Sequence, residues 1–142
     1  MRTIKQLLDD KGRDIWSVTP ETSVFDAIKL MAEKEVGALM VTEGGRPVGI
    51  ISERDYARKI IIRGLSSRDT PVKDIMTARV VYARPDQTVR ECMGMMSEKR
   101  IRHLPVMEGE QLLGVISIGD LVKAIIAEQE YTIQQLEQYI SG

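Results

Sequence analysis

The feature that most constrains this chain is an internal repeat, because self-similarity at a fixed shift commits both copies to one architecture. The run Thr19-Pro20-Glu21-Thr22-Ser23-Val24 is answered by Arg84-Pro85-Asp86-Gln87-Thr88-Val89, a shift of 65 residues from Pro20 to Pro85. The shift persists without a gap. Met31, Glu33, Lys34, Leu39 and Val41 meet Met96, Glu98, Lys99, Leu104 and Val106. Gly49, Ile51, Ser52, Asp55, Ile60 and Ile61 then meet Gly114, Ile116, Ser117, Asp120, Ile125 and Ile126.

Each copy predicts the same elements. Ser23 and Thr88 are N-caps, followed by apolar positions at helical spacing: Val24, Ile28 and Met31, then Val89, Met93 and Met96. The runs 36–41 and 101–106 read as strands that stop at an acidic-glycine turn. With 47–51 and 112–116 they make hairpins. A second helix opens at Ser52 or Ser117 and runs to Ile62 or Ile126. The expected fold is α/β (α+β), two β-α-β-β-α repeats. One copy alone buries too little surface, so the two are expected to pack about a pseudo-twofold axis.

A lead-in precedes each copy. Thr3-Ile4-Lys5-Gln6-Leu7-Leu8 resembles Pro71-Val72-Lys73-Asp74-Ile75-Met76, now at a shift of 68 residues from Lys5 to Lys73. On this reading each repeat owns its lead-in. The expected division is 1–66 for the first repeat, 67–127 for the second and 128–142 for a helical tail, in which Ile133, Leu136 and Ile140 form an apolar stripe.

Composition narrows the function. Apolar residues are 43% and charged residues 29%, a globular balance, and Lys+Arg 20 against Asp+Glu 21 leaves no basic footprint for nucleic acid or anionic lipid. The single cysteine, Cys92, excludes a disulfide framework and offers no metal spacing; with Met93, Met95 and Met96 it reads as core filling. No stretch in residues 1–10 is apolar enough for a signal peptide or a membrane span, so the expected location is cytoplasmic. Neither a nucleophile–base pair nor a glycine-rich phosphate loop is visible, which argues against an enzyme and against a catalytic cofactor.

Gly49-Ile50-Ile51-Ser52-x-x-Asp55, Gly114-Val115-Ile116-Ser117-x-x-Asp120 and Arg102-His103-Leu104-Pro105-Val106 resemble motifs of CBS (cystathionine-beta-synthase-type) domains. Two in tandem resemble a Bateman module. The resemblance covers Ile4 to Ala127. It implies a regulatory module that binds AMP, ADP, ATP, NAD(H) or S-adenosylmethionine in clefts between its repeats, associates as a homodimer and signals to a protein the sequence does not name.

The resemblance also implies composite clefts. One would join Asp14, Ile15, Val36, Gly37 and Ala38 to Val115, Ser117 and Asp120. The other would join Ala78, Arg79, Val80, Ile101, Arg102 and His103 to Ile50, Ser52, Arg54 and Asp55. Chemically, a carboxylate can accept from both hydroxyls of a ribose, and a helix N-terminus attracts phosphate. Arg54 and Arg102 make the second cleft the better phosphate site, with AMP favoured and NAD(H) or ATP next. Ser-x-x-Asp before a helix is equally a capping box that needs no ligand. Hence the alternative: an interaction homodimer with vestigial clefts.

Overall fold

The computed structural model describes residues 2–141. In chain order its elements are α1 (Ile4–Lys11), β1 (Ser17–Val18), α2 (Val24–Lys34), β2 (Ala38–Glu43), β3 (Arg46–Ser52), α3 (Glu53–Asp55), α4 (Val89–Lys99), β4 (His103–Glu108), β5 (Gln111–Ser117) and α5 (Ile118–Ser141). α3 widens at once into a π-helical stretch, Tyr56–Ile61, and a 3-10 turn covers Val72–Asp74. The chain is mixed α/β and forms two compact units, one of them Ile15–Val81 and the other the chain up to Asp14 together with the chain from Tyr82 onward.

In the first unit Ser23 caps α2, its hydroxyl accepting the Asp26 N–H at 3.1 Å. The cap sets the phase of the helix, so that Val24, Ala27 and Met31 fall on one buried face. That face meets Leu39, Val41, Ile51, Ile60, Val72 and Ile75 in a single apolar core. β1 pairs parallel with β2, and β2 pairs antiparallel with β3. The hairpin turn falls at Gly44 and Gly45, whose φ values of 59° and 80° lie where a side chain is strained.

The second unit repeats this plan with two changes. Its opening strand shrinks to one parallel bridge, Ala83 to Val106. Thr88 caps α4 as expected, accepting the Glu91 N–H at 3.1 Å, and the β4–β5 hairpin keeps the bulge of its counterpart. Its last helix is regular and long: α5 runs unbroken to Ser141, so the expected tail is the continuation of the repeat's own second helix. Every described residue from Gln129 onward is exposed.

The structure corrects the assignment of the lead-ins. Each completes the unit built on the other repeat. In the second unit the Ile4 N–H donates to the Gln87 carbonyl at 2.8 Å and the Val89 N–H to Arg2 at 3.0 Å. In the first unit the Val72 N–H donates to Thr22 at 2.8 Å and the Val24 N–H to Thr70 at 2.9 Å. The divisions at 66/67 and 127/128 are therefore not the bounds of the compact units. The seats are glycines. A Cβ added at Gly114 would stand 2.8 Å from the Leu8 Cδ2, and one at Gly49 would stand 2.7 Å from the Met76 Sδ and 3.0 Å from the Thr77 carbonyl oxygen.

Candidate ligand site

Both Ser-x-x-Asp sequences open a helix as expected, and both are closed capping boxes. In the first unit the Asp55 N–H donates to the Ser52 Oγ at 3.2 Å, while Asp55 Oδ2 accepts the Ser52 N–H at 3.0 Å and its hydroxyl at 3.2 Å. In the second, the Asp120 N–H donates to the Ser117 Oγ at 3.2 Å and Asp120 Oδ2 accepts the Ser117 N–H at 2.8 Å. The cap thus holds each carboxylate in place. Both carboxylates are half-buried, so any group they bind must come to them.

Each carboxylate also meets a lysine that the sequence analysis did not single out. Lys59 approaches Asp55 Oδ1 at 3.2 Å and donates to the Ile75 carbonyl at 2.8 Å. Lys11 approaches Asp120 Oδ2 at 2.5 Å and donates to the Val115 carbonyl at 2.6 Å. Lys59 lies four residues after Asp55 on its own helix, a pairing that helical spacing could have signalled. Lys11 comes from α1, and only the exchange of the lead-ins brings it there.

The strand starts stand beside the capping boxes of their own repeats. Ala38 lies opposite Ser52 in the β2–β3 ladder and His103 opposite Ser117 in β4–β5. The first free N–H of each helix goes to the residue before the strand: Glu53 to the Gly37 carbonyl at 3.0 Å, Ile118 to Arg102 at 2.9 Å. Val36, Gly37, Ile50, Ile101 and Val115 are half-buried nearby in sequence, and Arg54 and Arg102 are exposed. Ile15, Ala78, Arg79 and Val80 belong to the first unit and Asp14 to the second, with Ile15 and Val80 half-buried and the other three exposed.

The second box shifts the groups it holds. Burial pushes the Asp120 carboxyl up, but the Lys11 ammonium and the Ser117 N–H outweigh it and hold the group below its ordinary value. His103 is pushed down, first by burial and then by the charge of Lys11, with Arg102 adding and Asp120 opposing. Its imidazole is therefore held toward the neutral form. Cys92 is buried in α4, where burial and Glu91 raise its thiol to about 11. Met96 is buried with it, and Met93 and Met95 are half-buried.

The model of the CBS domain family matches residues 8–62 and again 72–127. The chain belongs to the CBS-domain family. Among its relatives is the CBS domain-containing protein CBSX3, mitochondrial, of Arabidopsis thaliana, 41% identical over 99% of this chain and 72% of its own length. Other Arabidopsis relatives are far longer: the chain spans 24% of CBSCBSPB5. A solved structure of a CBS-domain protein from Burkholderia ambifaria MC40-6 superposes with a TM-score of 0.87 at 53% identity, covering 90% of this chain and 96% of that one. The CBS domain pair of MJ0100, solved with 5-methylthioadenosine and S-adenosyl-L-methionine, shares the fold at a TM-score of 0.79 and 21% identity, over 90% of this chain and 98% of that one. No helix among the described residues is long and apolar enough to cross a membrane.

Proposed function

We propose that this CBS-domain pair is a regulatory module without catalytic activity that binds an adenine nucleotide and signals its occupancy to a partner protein. The observation that carries the reading is the doubled box itself. Two helix starts each hold a half-buried carboxylate at a set angle, with an ammonium beside it. A cap alone needs no lysine, whereas a site for a nucleoside phosphate uses both signs: carboxylate for the ribose hydroxyls, cation and helix start for phosphate. The adenosine ligands held by the MJ0100 pair support the same class. AMP is favoured, then NAD(H) or ATP. Arg54 lies within the first box, just before Asp55, and Arg102 precedes His103, and both serve the phosphate.

A homodimer working in the cytoplasm completes the proposal. Its contact surface is supplied by the helical stretches 26–35 and 55–63 and their repeat mates. Ile61 and Ile126, matched across the repeat, are 62% and 49% exposed.

The second reading, an interaction homodimer with vestigial clefts, is favoured by one observation: both carboxylates already have their partners within the chain. Isothermal titration with AMP, ATP, NADH and S-adenosylmethionine separates the two. Saturable binding of at least one, weakened at least about tenfold when Asp55→Asn and Asp120→Asn are combined, is the expected result, since hydrogen bonds to charged groups contribute about 1.5–3 kcal/mol. Absence of heat with all four ligands would leave the interaction reading standing.

A further inference from the structure

The exposed end of α5 carries a pattern that its own unit does not use. Val122, Ile126, Gln129, Ile133, Leu136 and Ile140 follow one another at alternating steps of four and three residues. That is the a/d seam of a heptad repeat, with Ile126, Ile133 and Ile140 at a and Val122, Gln129 and Leu136 at d. The faces of α5 that serve the core are different ones: Leu121 and Ala124 are buried, while Ile126, Ile133, Leu136 and Ile140 are 49%, 54%, 57% and 82% exposed. The helix carries neither Gly nor Pro between Gly119 and Ser141, and beyond Ala127 most positions between the seam residues are Gln or Glu. A solvated helical end of this kind is marginal by itself, since propagation without packing adds little stability.

We infer that this seam is the contact of a parallel, in-register two-stranded coiled coil with a second copy of this chain. Three observations choose that occupant and orientation. Isoleucine at every a position, with leucine among the d residues, is the combination that suits two parallel strands. The flanking e positions are Lys123, Glu130 and Glu137 and the g positions Ile125, Thr132 and Tyr139. In a parallel pair e faces g of the other strand, so each glutamate meets a neutral side chain. In an antiparallel pair e faces e, and overlap of the exposed ends, 126 to 140, would set Glu130 against Glu137. Finally, Gln129 is the one polar member of the seam. In register it faces its own copy, amide to amide, each able to donate and accept; a slip of one heptad sets it against Val122 or Leu136 and leaves both amides without partners.

The inference deepens the homodimer of the proposed function and is independent of the nucleotide. The test uses the full chain and two measurements. Light scattering on the wild type and on Ile133→Asp combined with Leu136→Asp should show a dimer whose dissociation constant rises at least about 100-fold in the variant, as expected when each strand withdraws two apolar side chains from the seam. Both residues are exposed in the single chain, so the units should keep their far-ultraviolet circular dichroism. Under mild oxidation Leu136→Cys should cross-link to its own copy, while Tyr131→Cys, on the outer f position, should not; Cys92 is buried and stays out of the reaction. A dimer that survives the double variant, or equal cross-linking at 131 and 136, overturns the coiled coil and leaves the dimer through other helices standing. A monomeric wild type overturns both.

Discussion

The two capping boxes reach the same local chemistry by opposite routes. In the first unit the ammonium comes from the box's own helix and reaches out to a lead-in carbonyl, Lys59 to Asp55 and Ile75. In the second the lead-in supplies the ammonium, and it reaches in to a strand carbonyl, Lys11 to Asp120 and Val115. Duplication has kept the carboxylate, the serine and the carbonyl-bridging cation, but not the position of the cation. A repeat therefore conserves an environment more faithfully than a residue, and the second box depends on chain more than a hundred positions away in sequence.

That comparison breaks most readily at the glycine seats. Gly49→Ala and Gly114→Ala should each destabilise the chain by about 1–3 kcal/mol, the usual cost of forcing an extra methyl into a packed site. Gly49→Ala should lie at the upper end, because the Thr77 carbonyl near it is backbone, whereas at Gly114 only the end of the Leu8 side chain stands in the way. Urea unfolding checks the order. Equal losses at both positions would mean that the lead-ins adjust alike.

Removing the cations tests the asymmetry directly. Lys11→Met should cost about 1 kcal/mol, near the top of the range for a partly exposed ion pair, and Lys59→Met should cost less. The Lys11 contacts are shorter, 2.5 and 2.6 Å against 3.2 and 2.8 Å, and they tie α1 to the rest of its unit. Thermal unfolding of the two variants side by side reads the difference; a greater loss in Lys59→Met would reverse the comparison.

The smallest effect is a pH dependence carried by the second box. His103 is the only histidine of the chain, and the matching position of the first repeat is Ala38. Because its folded form is held neutral, the unfolded chain takes up the proton first. The associated stability is complete above the ordinary histidine value of about 6.5 and declines as the pH falls from there to the lowered folded value. Asp120 acts in the same direction much further into acid, its contribution being lost as the pH falls through its own lowered value. Proton NMR of the single imidazole should show a midpoint below about 6.5, moving up in Lys11→Met. A midpoint at the ordinary value would mean that neither burial nor Lys11 acts on His103.

What could be read in the sequence was whatever is encoded locally. The caps at Ser23 and Thr88, the glycine turns of the hairpins and the Ser-x-x-Asp boxes each depend on residues a few positions apart, and each formed as their spacing demands. The lead-ins were misassigned because similarity between two copies is silent about which copy each segment packs on. Leu8 fits Gly114 as the repeat pattern permits, and the pattern would have permitted Gly49 equally. Lys11 was missed for the same reason. The π-helical widening at Tyr56–Ile61 has no counterpart in α5 although Ile60 and Ile61 match Ile125 and Ile126, so identical apolar spacing did not distinguish the two forms.

The exchange of lead-ins also sets a timetable. Ile4, Leu7 and Leu8, all buried in the finished chain, leave the ribosome well before their seat, which is built from residues as late as Gly114. Until then this helix must wait, amphipathic and without its partner, while the stretch from Ile15 to Val81 already holds every residue of its own core. The unit that contains α1 is thus completed after the other, and its rate of formation carries the cost of closing a loop that spans Ile15 to Val81.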